Sequence, residues 1–219
     1  LECSQVITNR YSTSFSLGIR LFAKEFRSPI YAIYGFVRLA DEIVDTFHDH
    51  DKTTLLKEFR EETRKAVENK ISLNPVLQSF QEVVNEYDID YHLITAFLDS
   101  MEMDLNKLHY DRNLYEKYIY GSAEVVGLMC LKVFLKGQAK TYNALKSDAM
   151  ALGSAFQKVN FLRDVKADFE ELNRSYFPNT NLKELDEASK KRIVEEIKAD
   201  FQLGYKGIIG LPTEARFGV

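Results

Sequence analysis

Apolar residues recur at three- and four-residue spacing through most of this chain. That is the period of amphipathic helices. Alternating apolar and polar runs bounded by turn dipeptides, the mark of hairpins, are absent. The pattern predicts helices at about 2–10, 12–24, 28–47, 52–68, 75–87, 90–106, 113–136, 140–172 and 187–209. Ser28-Pro29 predicts an N-cap followed by proline at the first helical position, and Asn74-Pro75 repeats the signal. His48 to Asp51 and Asn173 to Asn181 read as polar loops. The prolines, Pro29, Pro75, Pro178 and Pro212, leave the long middle of the chain without a helix breaker. No internal repeat and no Pro/Gly/Ser linker divides it, so the expectation is a single all-α domain over 1–219.

Composition narrows the function. With 219 residues, 45% of them apolar, the chain has the makings of an ordinary core, and wholesale disorder is excluded. Its 29 Lys+Arg against 33 Asp+Glu give a net charge of −4, without the basic footprint of a nucleic-acid binder. The longest apolar run, Val125 to Leu131, ends at Lys132, well short of the ~20 residues of a membrane span. No secretory leader pattern is present. Cys3 and Cys130 are too few for a disulfide scaffold or a thiolate metal site, and a reducing, cytoplasmic setting is expected. A start at Leu1 instead of Met suggests a trimmed N-terminus.

Two polar stripes carry candidate chemistry. Asp41 and Asp45 share a helical arc with Tyr34 and Arg38, opposite Ile33, Val37, Ala40, Ile43 and Val44. By itself this pair is weak, because acids at ~15% of positions give roughly five such spacings by chance. A solvated face explains it equally well. The second stripe is sharper. Gln157, Asn160, Asp164 and Asp168 fall at i, i+3, i+7 and i+11, with Phe161, Val165 and Phe169 on one side and Phe156 and Ala167 on the other. Acids running down an apolar face are costly unless paired or bound to a cation. Neutralisation by Arg38 or Arg163 in a core ion-pair network is the structural alternative. Acids at i and i+4 lie about 5–6 Å apart and repel one another. A hard divalent cation such as Mg²⁺, which takes oxygen ligands and is often shared with substrate phosphates, would reverse that sign. Two such helices facing each other would then form a pocket for an anionic diphosphate. The 12 Tyr and 15 Phe, most of them core residues, supply candidates for a hydrocarbon slot. Other signals are weaker. His48 and His50 beside Asp49 and Asp51 suggest zinc but lack a second ligand group. Gly121 and Gly127 fit no phosphate loop, and no Gly-x-Ser-x-Gly elbow occurs.

Arg38-Leu-Ala-Asp41-Glu-Ile-Val-Asp45 and Gln157-Lys-Val-Asn160-Phe-Leu-Arg163-Asp164-Val-Lys-Ala-Asp168 resemble the two aspartate-rich motifs of the squalene/phytoene synthases, the head-to-head trans-prenyltransferases. The resemblance extends along the chain. Tyr11-Ser12-Thr13-Ser14-Phe15, Ile30 to Arg38, Met103-Asp104-Leu105, Tyr120-Gly121 through Gly127-Leu128-Met129, Arg174-Ser-Tyr176-Phe-Pro178 and Gly207 to Arg216 each resemble a family segment, in order.

This resemblance implies an all-α isoprenoid-synthase bundle with a central cavity. It implies Asp41, Asp45, Asp164 and Asp168 as catalytic acids which, with Asn160, hold Mg²⁺ or Mn²⁺. Tyr11, Ser12, Thr13, Ser14, Tyr34, Arg38, Tyr120, Gln157, Asn160, Arg163, Arg174 and Tyr176 would position prenyl diphosphate substrates. The implied reaction joins two geranylgeranyl diphosphates through a cyclopropyl intermediate to phytoene, in carotenoid biosynthesis. The alternative is squalene or dehydrosqualene from farnesyl diphosphate, with NADPH used only for squalene. A non-catalytic binding or assembly relative would be expected to lose the acids, which are all present. Peripheral membrane contact is expected from the hydrophobic product. Three departures stand out: Tyr11 where some relatives have His, Glu124 where a small residue is common, and an end at Val219 where the family continues with helix that closes the cavity.

Overall fold

The computed structural model describes residues 1–11, 13–106, 110–170, 176–178 and 187–219, and the side chains of all of these except 13, 14 and 165–170. The described residues form helices and no strands: α1 (Glu2–Tyr11), α2 (Thr13–Leu21), α3 (Lys24–Asp45), α4 (Lys52–Asn69), α5 (Pro75–Glu86), α6 (Tyr91–Asn106), α7 (Arg112–Ile119), a π-helical turn (Tyr120–Glu124), α8 (Val125–Leu135), α9 (Ala139–Glu170), α10 (Glu187–Gly210) and α11 (Thr213–Arg216).

Local chemistry explains several boundaries. Asn74 accepts from the amides of Val76 and Leu77, with Pro75 at the first helical position, as the sequence predicts. Asp51 caps α4 in the same way, through Thr53 and Thr54. The expected start at Ser28-Pro29 is corrected. α3 begins four residues earlier, at Lys24, and Pro29 lies inside it. The added turn places buried Phe26 edge-on to Phe134, 5.6 Å between centroids. That burial outweighs the one hydrogen bond that an interior proline forgoes.

The core is built around α3 and α8. Phe36 is fully buried, stacked on Phe80 at 3.9 Å, with Phe59 and Phe97 completing a cluster that joins α3, α4, α5 and α6. α8 is apolar nearly all round and is enclosed by α3, α6 and α9. The continuous run Arg112–Leu135 is long and apolar enough to cross a membrane by composition, and 56% of its most apolar window is buried in this bundle. α10 runs back along α9 at close range. A Cβ on Gly207 would fall 2.5 Å from Asp148 Cβ, so glycine is what permits the approach. A second, aromatic cluster of Tyr110, Tyr115, Tyr118, Phe161, Tyr176 and Phe177 sits where α6, α7 and α9 converge.

Candidate active site: a cavity shared by two acidic helix faces

α3 delivers its acids at a helix C-terminus, the negative end of the helix dipole. Lys52 relieves part of that cost, since its ammonium donates to Val44 O at 2.7 Å and Asp45 O at 3.4 Å. It also meets His48 Nδ1 at 3.2 Å. Two turns inside the helix, Arg38 pairs with both Asp41 and Glu42. Its guanidinium lies 4.7 Å over the Tyr11 ring, and its buried Nε has no partner among the described residues. Burial, then the neighbouring Asp45 charge, push the Asp41 carboxyl up to about 7, against the pull of Arg38, while Asp104 and Glu42 add to the rise. Tyr34 stacks on Phe15 at 4.0 Å.

α9 is fixed in rotation by polar contacts on the face away from the cavity. Buried Lys158 donates to Asp200 of α10 at 2.7 Å, Ser154 donates to the same oxygen at 2.7 Å, and Glu196 lies 3.4 Å from the ammonium. Breaking such a pair leaves a buried charge uncompensated, so this contact holds α9 against α10. The neighbouring positions Gln157, Asn160 and Asp164 are thereby turned into the cavity. Arg163 forks onto Asp164 at 2.8 and 2.6 Å.

Both stripes reach the same space, a cavity of about 860 Å³. Tyr11, Tyr34, Arg38, Asp41, Asp45, Gln157, Asn160, Arg163, Asp164 and Tyr176 all line it. The rest of the wall is largely apolar, with Ile19, Phe22, Met101, Phe134 and Leu152 among its residues. Cys130 also faces it, and burial pushes that thiol up to about 12, leaving it protonated and unreactive near neutrality. The arginine-neutralised alternative is therefore half realised: each of Asp41 and Asp164 has an arginine beside it, yet open volume lies between the two helices.

Tyr120 is placed differently. It is half-buried against the main core, and it is not among the cavity-lining residues. Two residues away, on the opposite helical face, Tyr118 lines the cavity in its place. Ser12 and Arg174 lie outside the described residues, and so do the side chains of Thr13, Ser14 and Asp168. Among the described residues no group of three or more His, Cys, Asp or Glu converges as a metal cluster. The acids meet the cavity singly or as a pair.

Two further wall positions carry no role in the sequence-based expectation. Asp104 is buried and accepts from three tyrosine hydroxyls. Its signal was available: an acid three residues after Met101 and seven after Phe97, on an apolar helical face. Ser122 carries a buried hydroxyl without a partner among the described residues. It belongs to the π-helical turn, a feature frequent at functional sites.

Comparison with known proteins follows the same lines. Residues 8–202 match the squalene/phytoene synthase family. Among curated proteins the chain is similar to phytoene synthase 1 of Solanum lycopersicum (28% identical, 100% of this chain and 57% of the relative). It is also similar to 4,4'-diapophytoene synthase of Staphylococcus haemolyticus (27%, 90% and 67%) and to phytoene synthase of Daucus carota (32%, 83% and 46%). The chain thus spans about half the length of the plant relatives it matches. Its fold is that of a squalene synthase HpnC from Alicyclobacillus acidocaldarius (TM-score 0.85, 21% identical, 99% of this chain and 86% of that one). A dehydrosqualene synthase in complex with ligand aligns as well (TM-score 0.85, 22%, 98% and 78%). These likenesses show the all-α isoprenoid-synthase fold.

Proposed function

Because this chain belongs to the squalene/phytoene synthase family, we propose that it joins two allylic prenyl diphosphates head to head, with geranylgeranyl diphosphate as substrate and phytoene as product. The observation that carries this is that Asp41, Asp45, Asp164, Arg38 and Arg163 line one cavity whose wall also carries many apolar side chains. A diphosphate needs the first kind of surface and a prenyl tail the second. Several of the matched relatives are named phytoene synthases, beside a 4,4'-diapophytoene synthase.

The donor set fits a hard cation. Asp41, Asp45, Asp164, Asp168 and Asn160 offer oxygen ligands only, which suits Mg²⁺ over softer metals. Burial first, and the Asp45 charge second, raise the Asp41 carboxyl, and a cation beside the pair would favour its charged form. These five residues would hold the metal, which when bound supplies positive charge to the leaving diphosphate.

The chain's own groups do the rest. Arg38 and Arg163, now forked on neighbouring carboxylates, present donor sets that match phosphate oxygens equally well. Gln157 and Asn160 add amide donors on the same strip. When the allylic C–O bond breaks, its electron pair leaves with the diphosphate oxygen and the C1 carbon is left positive. The double bond of the second substrate attacks that carbon, leaving a tertiary cation, and loss of a proton from C1 closes the ring to a cyclopropyl diphosphate. A second ionisation, rearrangement and proton loss then yield the hydrocarbon. Apolar walls keep out water, which would quench the cation to an alcohol. Tail and product are both hydrophobic, so contact with a membrane surface at release belongs to this proposal.

The test is a product assay on the full natural chain with geranylgeranyl or farnesyl diphosphate, Mg²⁺, and NADPH present or absent. A C40 hydrocarbon is expected, independent of NADPH. Asp164→Asn is expected to lose at least a hundredfold in kcat while its helical circular dichroism stays unchanged. Full activity of that variant, or a C30 product alone, overturns this assignment.

A further inference from the structure

The aromatic cluster surrounds a carboxylate that the chemistry above leaves unused. Asp104 projects from α6 into the wall of the cavity, nearly out of contact with water. Tyr118 donates to one of its oxygens at 2.6 Å, and Tyr176 and Tyr110 donate to the other at 3.0 and 3.2 Å. Three hydroxyls from separate stretches of chain thus end on one side chain. A phenol facing a carboxylate acts as the donor, so each hydroxyl is held toward Asp104. Burial and the Asp104 charge keep the Tyr118 hydroxyl protonated by pushing its pKa well above the ordinary value.

The rings these hydroxyls belong to form part of the cavity surface. Tyr118 and Tyr176 line it together with Phe161. Phe161 stacks on Tyr176 at 4.3 Å, and the two tyrosine rings are 5.0 Å apart. A phenol that donates a short hydrogen bond to an anion gains electron density in its oxygen and ring, which strengthens the attraction of the ring face for a cation. Three such bonds also fix the rings in place, so no reorganisation is needed when positive charge develops.

We propose that Asp104 is a positioning residue for the carbocation: through Tyr118 and Tyr176 it holds and enriches the aromatic wall against which the positive carbon rests. This deepens the condensation reading and rests on it. The acids on α3 and α9 serve the diphosphate; Asp104 serves the other product of the same bond cleavage, the carbon that the electron pair has left.

The test separates charge recognition from folding and from turnover. The full chain and Asp104→Asn are titrated calorimetrically, with Mg²⁺ and inorganic diphosphate present, with a prenyl dimethylammonium ion and with its neutral tert-butyl isostere. The wild type is expected to prefer the cation, and Asp104→Asn to lose that preference by roughly tenfold, the scale of a desolvated cation–π contact, with the isostere's affinity unchanged. In turnover the variant is expected to lose kcat with KM held. The double variant Tyr118→Phe/Tyr176→Phe keeps both rings but removes two of the donors, and it is expected to reproduce the loss if Asp104→Asn does not fold. Equal weakening of both probes, or no weakening of either, overturns the assignment. A wild type that discriminates between the probes yet turns over no prenyl diphosphate overturns the proposed reaction instead.

Discussion

Glu124 offers a direct reading of what burial does to an acid in this bundle. It closes the π-helical turn at the start of α8, close to Lys158 of α9 and Asp200 of α10. Burial is the main reason its carboxyl is pushed up from 4.5 to about 7; Asp200 adds to the rise, Lys158 opposes it, and Glu116 adds a little more. An acid whose folded pKa is raised binds its proton more tightly in the native state than in the unfolded chain. Its stabilising contribution is complete below about 4.5 and is lost as pH rises through about 7. At about 1.4 kcal/mol per pH unit the displacement is worth ~3 kcal/mol, and solvent at the half-buried carboxyl reduces this to about 1–2 kcal/mol. Glu124→Gln keeps the shape and removes the titration. It should match the wild type near pH 4.5 and exceed it above pH 7. For a chain of this size each kcal/mol moves Tm by about 2–4 °C, so the expected gain at pH 8 is about 2–8 °C. Thermal melts of both proteins by circular dichroism from pH 4.5 to 8.5 measure it. A variant less stable than the wild type at pH 8 would mean that attraction to Lys158 dominates. A gain that does not change with pH would mean that titration is not its cause. Either result refutes the argument.

Two packing predictions probe the frame that carries the site. A Cβ on Gly121 would fall 2.5 Å from the Ala96 carbonyl oxygen and 2.6 Å from Ser100 Cβ, so Gly121→Ala must push the π-helical turn off α6. The expected cost is about 1–3 kcal/mol, seen as a Tm lower by about 2–12 °C; an unchanged Tm would show that α6 yields freely. Phe80, fully buried and stacked on Phe36, should cost about 3–5 kcal/mol on truncation to alanine. Urea unfolding measures it, and a loss below 1 kcal/mol would show that the aromatic cluster collapses to fill the void.

What could be read from sequence was whatever repeats along one helix. The 3.6-residue period marked the helices from α1 to α10, and the Asn74-Pro75 start of α5 needed no tertiary information. The second acidic stripe was legible for the same reason, since its acids interrupt an apolar face. Pro29 misled because a local capping signal competed with the burial of Phe26 against Phe134, a partner more than a hundred residues away. Tyr118 and Tyr120 could not be ranked from sequence alone, because the choice depends on which face α7 turns toward the cavity. Asp104 shows the remaining limit. Its three partners come from positions 110, 118 and 176, and no pattern within one helix announces a hub assembled from separate segments.

The same distinction explains how the site can hold its acids without a ligand and still be ready for one. Asp41 and Asp164 are each paired with an arginine on their own helix, at sequence distances of three and one. At part-exposed positions such pairs are worth about 0–1 kcal/mol. When such an arginine turns to a phosphate oxygen, the carboxylate it leaves becomes available to a cation. The contact that holds α9 in place is of another kind: Lys158 is buried, and its partner Asp200 lies on a different helix. Breaking that pair strands a charge in the interior at a cost of several kcal/mol. The Arg38–Asp41 and Arg163–Asp164 pairs therefore face the cavity, and the Lys158–Asp200 pair faces the bundle. Under the proposed function, charge is redistributed at the site while the helices that present it stay where they are.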